Sequence, residues 1–128
     1  MKQKNILHKA GNLIAAIILL MFSIQKLIGV EEAVAGFKQL ESLVPIDIDT
    51  FRMITGAVEL FIALLLIAYT FNNKDSIGKI AYLMLSGTML GALTMEFFAR
   101  PEPMIMLVVI AIFLLVLSLY RLKTLVKK

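Results

Sequence analysis

The stretch ITGAVELFIALLLIAY, residues 54–69, suits the interior of a lipid bilayer at every position except Glu59. A charged residue at the centre of a transmembrane helix costs about 2.5–3.5 kcal/mol on insertion scales, so it needs a partner or a purpose. If the helix begins near Phe51, Glu59 lies ~12 Å in from the membrane surface at ~1.5 Å per residue. Its short side chain cannot reach the headgroups from there. It must face the bundle interior or another subunit, or be protonated.

The rest of the chain supports a bilayer as its solvent. Of 128 residues, 60% are hydrophobic and 17% charged, with a mean hydropathy of +0.91. Soluble domains hold about 45–50% apolar and about 25% charged residues. Four apolar runs, 12–30, 51–71, 78–98 and 103–121, are each near the ~20 residues that a helix needs to span ~30 Å of hydrocarbon. The expected fold is therefore all-α, a single-domain integral membrane bundle of four antiparallel helices. Short connections at 72–76 and 99–103 make consecutive helices neighbours. The longer connection, 31–50, carries Val34, Phe37, Leu40 and Leu43 at three-residue steps, which predicts a short helix on the bundle mouth, ended by Pro45, Asp47 and Asp49.

The charges indicate orientation. With the N-terminus inside, the inner face holds nine cations: Lys2, Lys4, Lys9, Lys74, Lys79, Arg121, Lys123, Lys127 and Lys128. The outer side holds four, Lys26, Lys38, Arg52 and Arg100. The bias predicts both termini in the cytoplasm. The net charge of +4 is thus a topology signal and not a nucleic-acid patch. A cleaved signal peptide ending at Ala33-Val34-Ala35 is disfavoured, because Lys26, Glu31 and Glu32 separate that triplet from the apolar core. With no cysteine and only His8 as histidine, disulfides, thiolate metal sites and covalent haem attachment are excluded for this chain.

Helical spacing gathers the intramembrane polar residues. Arg52, Thr55, Gly56, Glu59 and Ala63 form one stripe; Asn12, Ala16, Leu19, Ser23 and Lys26 form a second; Thr88, Ala92 and Glu96 form a third. If the stripes face one another, Lys26, Arg52, Glu59, Glu96 and Arg100 converge in the outer half with Gln25 and Thr94. The inner half then reads as almost wholly apolar. The cluster is either a set of structural ion pairs or a ligand-binding site. Gly87 and Gly91 form a GxxxG motif for close helix approach, within the bundle or in a dimer, with the intramolecular contact expected. Gly56 is a further packing glycine. Phe22, Phe51, Phe97, Phe98, Tyr69 and Tyr120 fall near helix ends, where aromatic belts form.

Two of these segments carry a family likeness. FSIQKLIG (22–29) is similar to the F-x-x-G-x-x-K-L-x-G ending of the first helix in the DoxX-like membrane protein family, with Gln25 where a small residue is usual. Pro45 follows in the outer loop. TGAVELFIALLL (55–66) resembles the family's G-x-x-E-L-x-x-x-x-L-L segment, and TMLGALTM (88–95) its third-helix pattern, with Met95 at a position often held by histidine. The resemblance covers about residues 13–120. It implies a compact four-helix bundle with a lysine on the first helix and a glutamate on the second, here Lys26 and Glu59, and its members' roles are varied; a bacterial inner membrane is the expected location. The polar cluster leads to the expectation of a non-enzymatic accessory role: binding of a quinone- or lipid-like ligand in the outer-half pocket, or of a partner membrane protein or second copy. A subunit of a quinone-linked oxidoreductase complex is the alternative. A small solute or proton carrier is weaker, since no helix reads as broken and no polar path reaches the inner half. Met95 and the lack of cysteine argue against haem ligation or a thiol relay, and a quinone pocket needs neither.

Overall fold

Inside hydrocarbon every backbone N–H and C=O must be bonded within the protein, and a helix does this within a single segment. The computed structural model describes residues 2–39, 41, 45–72, 74–99 and 105–126, and it gives the apolar runs that form. Helix α1 spans Lys2–Ile28, α2 Glu31–Lys38, α3 Ile48–Asn72, α4 Asp75–Thr94 and α5 Ile105–Val126, with a π-helical segment Met95–Ala99 continuing α4. No strand occurs among the described residues. Four of the helices are long and apolar enough to cross a membrane, over Ile6–Ile28, Ile48–Asn72, Asp75–Phe97 and Ile105–Val126. The expected all-α membrane bundle is the fold observed.

Helices begin and end where the local chemistry changes. Helix α1 starts well before its apolar run, because nothing in its basic first turns breaks a helix. It stops at Gly29, whose φ of +73° lies in the left-handed region. There the amides of Gly29 and Val30 both donate to the Gln25 carbonyl, at 3.1 and 3.2 Å. This is the usual glycine-ended helix terminus. The short α2 lies on the bundle mouth and packs on α3; outer denotes this end of the bundle and inner the end with both termini. Its Phe37 sits against Ile48, Phe51 and Met95, with the Phe37 and Phe51 rings edge-on at 5.8 Å. Leu40 and Leu43, expected to extend that face, lie outside the described residues. Asp47 caps the start of α3, accepting from the Thr50 amide at 3.1 Å.

Helix α1 packs most extensively against α3, and α5 against α4, with α3 and α4 joining the two pairs. The central core is Ala15, Ala16, Leu19, Ile62, Ala63, Leu66, Ala81, Tyr82, Leu85 and Leu114, all at most 1% exposed. Four of these ten are alanines, which let helices in lipid come into close contact. Outward, Ile17, Met21, Leu64, Leu83, Leu90, Ile112 and Leu119 are each about half exposed or more. A soluble monomer does not show so continuous an apolar surface. The bilayer covers it, and the protein is an integral membrane protein.

Candidate functional site

The polar stripe of α1 faces inward as its spacing requires: Asn12, Ala16, Leu19 and Ser23 are buried, and Lys26 is half-buried. On α3, Arg52, Gly56, Glu59 and Ala63 are buried, with Thr55 at the edge. Where the two stripes meet, the Lys26 ammonium donates to both oxygens of Glu59, to Oε1 at 2.6 Å and to Oε2 at 2.7 Å. The Phe22 ring lies 5.5 Å from the same nitrogen. The side chains keep only 16% and 7% of their exposure. Charge-assisted bonds this short are the arrangement that makes a desolvated pair tolerable.

Arg52 has a different task. Its Nη1 donates to the Lys26 carbonyl at 2.5 Å, one of the acceptors that the end of α1 leaves without an intrahelical partner. A cation at a helix C-terminus is also favoured by the helix dipole. Two glycines make this junction possible. A Cβ on Gly29 would come within 3.0 Å of Arg52 Nη1. A Cβ on Gly56 would lie 3.0 Å from Lys26 Cβ and 3.2 Å from the Ser23 carbonyl oxygen. The spacings K-L-x-G and G-x-x-E therefore describe one joint: Gly56 lets the helices touch, Glu59 reaches Lys26, and Gly29 lets Arg52 close the helix end. Arg52 also lies 3.5 Å from the exposed Asp49.

The other expected members are more dispersed. Glu96 is buried on the π-helical segment, but the Lys26–Glu59 bonds do not include it. Gln25 points to the exterior and lines an outer-end crevice of ≈ 330 Å³ with Val30, Glu31 and Glu32. Thr94 is exposed and bonds its own helix at Leu90. Arg100 lies outside the described residues. Helix α4 turns Tyr82, Leu85, Ser86 and Met89 to the core, leaving Thr88 and Ala92 half-buried at its flank. Gly87 and Gly91 are exposed, and a Cβ on either would meet no described atom within 4 Å. The expected close approach within the bundle is not made there.

The inner half corrects the sequence reading. It is not wholly apolar. Asn12, Tyr82, Ser118 and Arg121 are at most 4% exposed, and Tyr69 is 7% exposed. Tyr82 donates to Asn12 Oδ1. Arg121 donates from Nη2 to the Tyr69 hydroxyl at 2.9 Å and from Nη1 to Thr124 Oγ1 at 3.1 Å. Its guanidinium carbon lies 5.7 and 5.6 Å from the ring centres of Tyr69 and Tyr82. Tyr69 is thus a core residue and not a belt residue, whereas Tyr120 and Phe97 are exposed. Gly78 accommodates it: a Cβ there would fall 2.7–2.9 Å from Tyr69 ring atoms. The signal in the sequence is Asn12, the polar inner end of the α1 stripe.

Between the two clusters lies a dry layer of Ala16, Leu19, Ile62, Ala63, Leu66 and Leu85, none above 1% exposed. The intramembrane hydroxyls spend their bonds locally, as Ser23 does on Leu20, Thr70 on Leu66 and Ser118 on Leu115. No group of three metal-ligating side chains forms among the described residues. The profile of the DoxX-like family matches residues 11–119, spanning the Lys26–Glu59 joint and Tyr82 and ending just short of Arg121. No curated protein and no solved structure matches the chain.

Proposed function

This chain belongs to the DoxX-like family, and from that premise we propose an integral membrane accessory protein, non-enzymatic by itself, whose outer-half cluster receives the headgroup of a quinone- or lipid-like ligand. The observation that carries this reading is the state of Lys26. Its ammonium has three N–H donors, of which Glu59 takes two, and its side chain keeps 16% of its exposure beside the Phe22 ring. A carbonyl headgroup is a suitable acceptor for the third, with the apolar outer surface for its tail. Arg52 holds the joint, and Gln25 borders the outer crevice. The lysine and arginine distribution supports both termini in the cytoplasm, and the family likeness fits a bacterial inner membrane. Titration of decyl-ubiquinone into the detergent-purified protein should give saturable binding that Lys26→Met abolishes. Organic extraction of gently purified protein should yield a quinone. An extract without quinone, together with non-saturable titration, would rule the ligand out.

A second reading rests on Gly87 and Gly91. Small residues four apart on an exposed apolar face admit another helix at close range. That helix would be a partner's membrane segment, including that of a quinone-linked oxidoreductase bearing its own flavin, haem or metal, or a second copy. A photo-crosslinking residue placed at Leu90 in native membranes should give one discrete protein adduct. Lipid adducts alone would reject this reading.

A further inference from the structure

The buried Arg121 borders open space. It is 4% exposed, yet it lines a crevice of ≈ 280 Å³ at the terminal end of the bundle with Leu7, His8, Gly11, Leu117 and Tyr120. The crevice runs between α1 and α5, helices that are not among the main packing pairs. Two guanidinium N–H groups are engaged, by Tyr69 and Thr124. Nε is buried and has no hydrogen-bond partner among the described residues. No described carboxylate lies within ion-pair distance of Arg121, and Asp75 is the acidic residue that opens α4 at this end. The faces of Tyr69 and Tyr82 answer part of the charge but are weaker partners than an anion.

We infer that this crevice is a binding site for the phosphate of an anionic phospholipid, held by Arg121 and bordered by His8 and Tyr120. A desolvated guanidinium that borders a crevice and has N–H groups beyond those given to Tyr69 and Thr124 is matched by phosphate oxygens. The walls suit a lipid in particular. Leu7 and Leu117 give apolar surface on which acyl chains can continue outward. Exposed Lys9 and Lys79 at the same end enrich anionic lipid in the adjoining leaflet. This site lies across the apolar layer from Lys26 and is independent of the ligand proposed there.

The test uses the full chain, delipidated in dodecyl maltoside, with thermal unfolding followed as lipid is added. Dioleoyl phosphatidylglycerol should raise the midpoint saturably, at about tenfold lower concentration than dioleoyl phosphatidylcholine, and inorganic phosphate at equal concentration should not replace it. Arg121→Gln should raise the half-saturating concentration about tenfold. Gly11→Leu should do the same while leaving every bond of Arg121 in place, since its side chain grows into the crevice and a Cβ at Gly11 meets only Leu117, at an ordinary 3.6 Å. Lys123→Gln should retain the full response. Equal protection by phosphatidylcholine or by inorganic phosphate would overturn the proposal. So would an unchanged response in both crevice variants, or its equal loss in Lys123→Gln.

Discussion

The two ends of the bundle bury a cation by different means. In the outer half, Lys26 is answered by a carboxylate that takes two of its hydrogens. In the inner half, Arg121 is answered by a tyrosine hydroxyl, a threonine hydroxyl and two aromatic faces. The outer site is neutral as a pair and ties α1 to α3. The inner site keeps a net positive charge and ties α5 to α3. The first kind of joint depends on both partners being present, whereas the second leaves only neutral groups behind when its cation is removed.

That contrast orders the expected effects of mutation. Lys26→Met should be the most damaging single change, by about 3 kcal/mol or more, because it strands Glu59 without its cation. The double variant Lys26→Met/Glu59→Leu should recover much of the loss, as read by thermal unfolding in detergent. A double variant as unstable as the single one would show that the pair is not a unit. Gly56→Ala should cost about 1–3 kcal/mol by forcing α1 and α3 apart at that joint, and Gly78→Ala should do comparable damage against the Tyr69 ring. Arg121→Met should cost less than Lys26→Met, about 1–2 kcal/mol, since it leaves behind only hydroxyls. Equal losses at the two ends would erase the distinction. Tyr82→Phe should cost about 1 kcal/mol or less, near the average for hydrogen bonds between membrane helices. Gly87→Ala should leave monomer stability unchanged, and a measurable loss would place a close neighbour against that face.

The outer joint was legible because its residues are anomalies against an apolar background. Glu59 and Lys26 stand out in their helices, and a period of three or four residues puts each on a face with Gly56 or Ser23. The inner cluster was not legible, for the opposite reason. Arginine and tyrosine near helix ends are the ordinary vocabulary of the membrane interface, where their heads turn outward to water. Tyr69 and Tyr120 look alike in sequence, yet one is 7% and the other 53% exposed. Only packing distinguishes them: Gly78 opens room for the ring of Tyr69, and α3 brings it under Arg121. Gly87 and Gly91 misled in a complementary way, since GxxxG specifies a surface that admits a helix and not which helix fills it.

The dry layer between the clusters bears on transport. Glu59 and Tyr69 are ten positions apart on one helix, ~15 Å at ~1.5 Å per residue; the α3 side chains between them have no polar atoms, and the buried Ser86 of α4 donates to its own helix at Leu83. The π-helical segment after α4 lies at the outer end and does not interrupt this layer. A carrier would have to open it. The sequence argument against a carrier placed the barrier throughout the inner half, whereas the observed barrier is this narrow septum.

The contact between Arg52 and the Lys26 carbonyl bears on the order of assembly. The residue that closes the end of α1 is made 26 positions later in the chain. Until it emerges, the Lys26 carbonyl has only headgroup water to bond. Helix α1 waiting for α3 is therefore favoured with its outer end at the interface, and the arrival of Arg52 removes that need. At that moment Glu59, two turns behind, comes level with Lys26. The seating of α1 and the neutralisation of its charge become a single event.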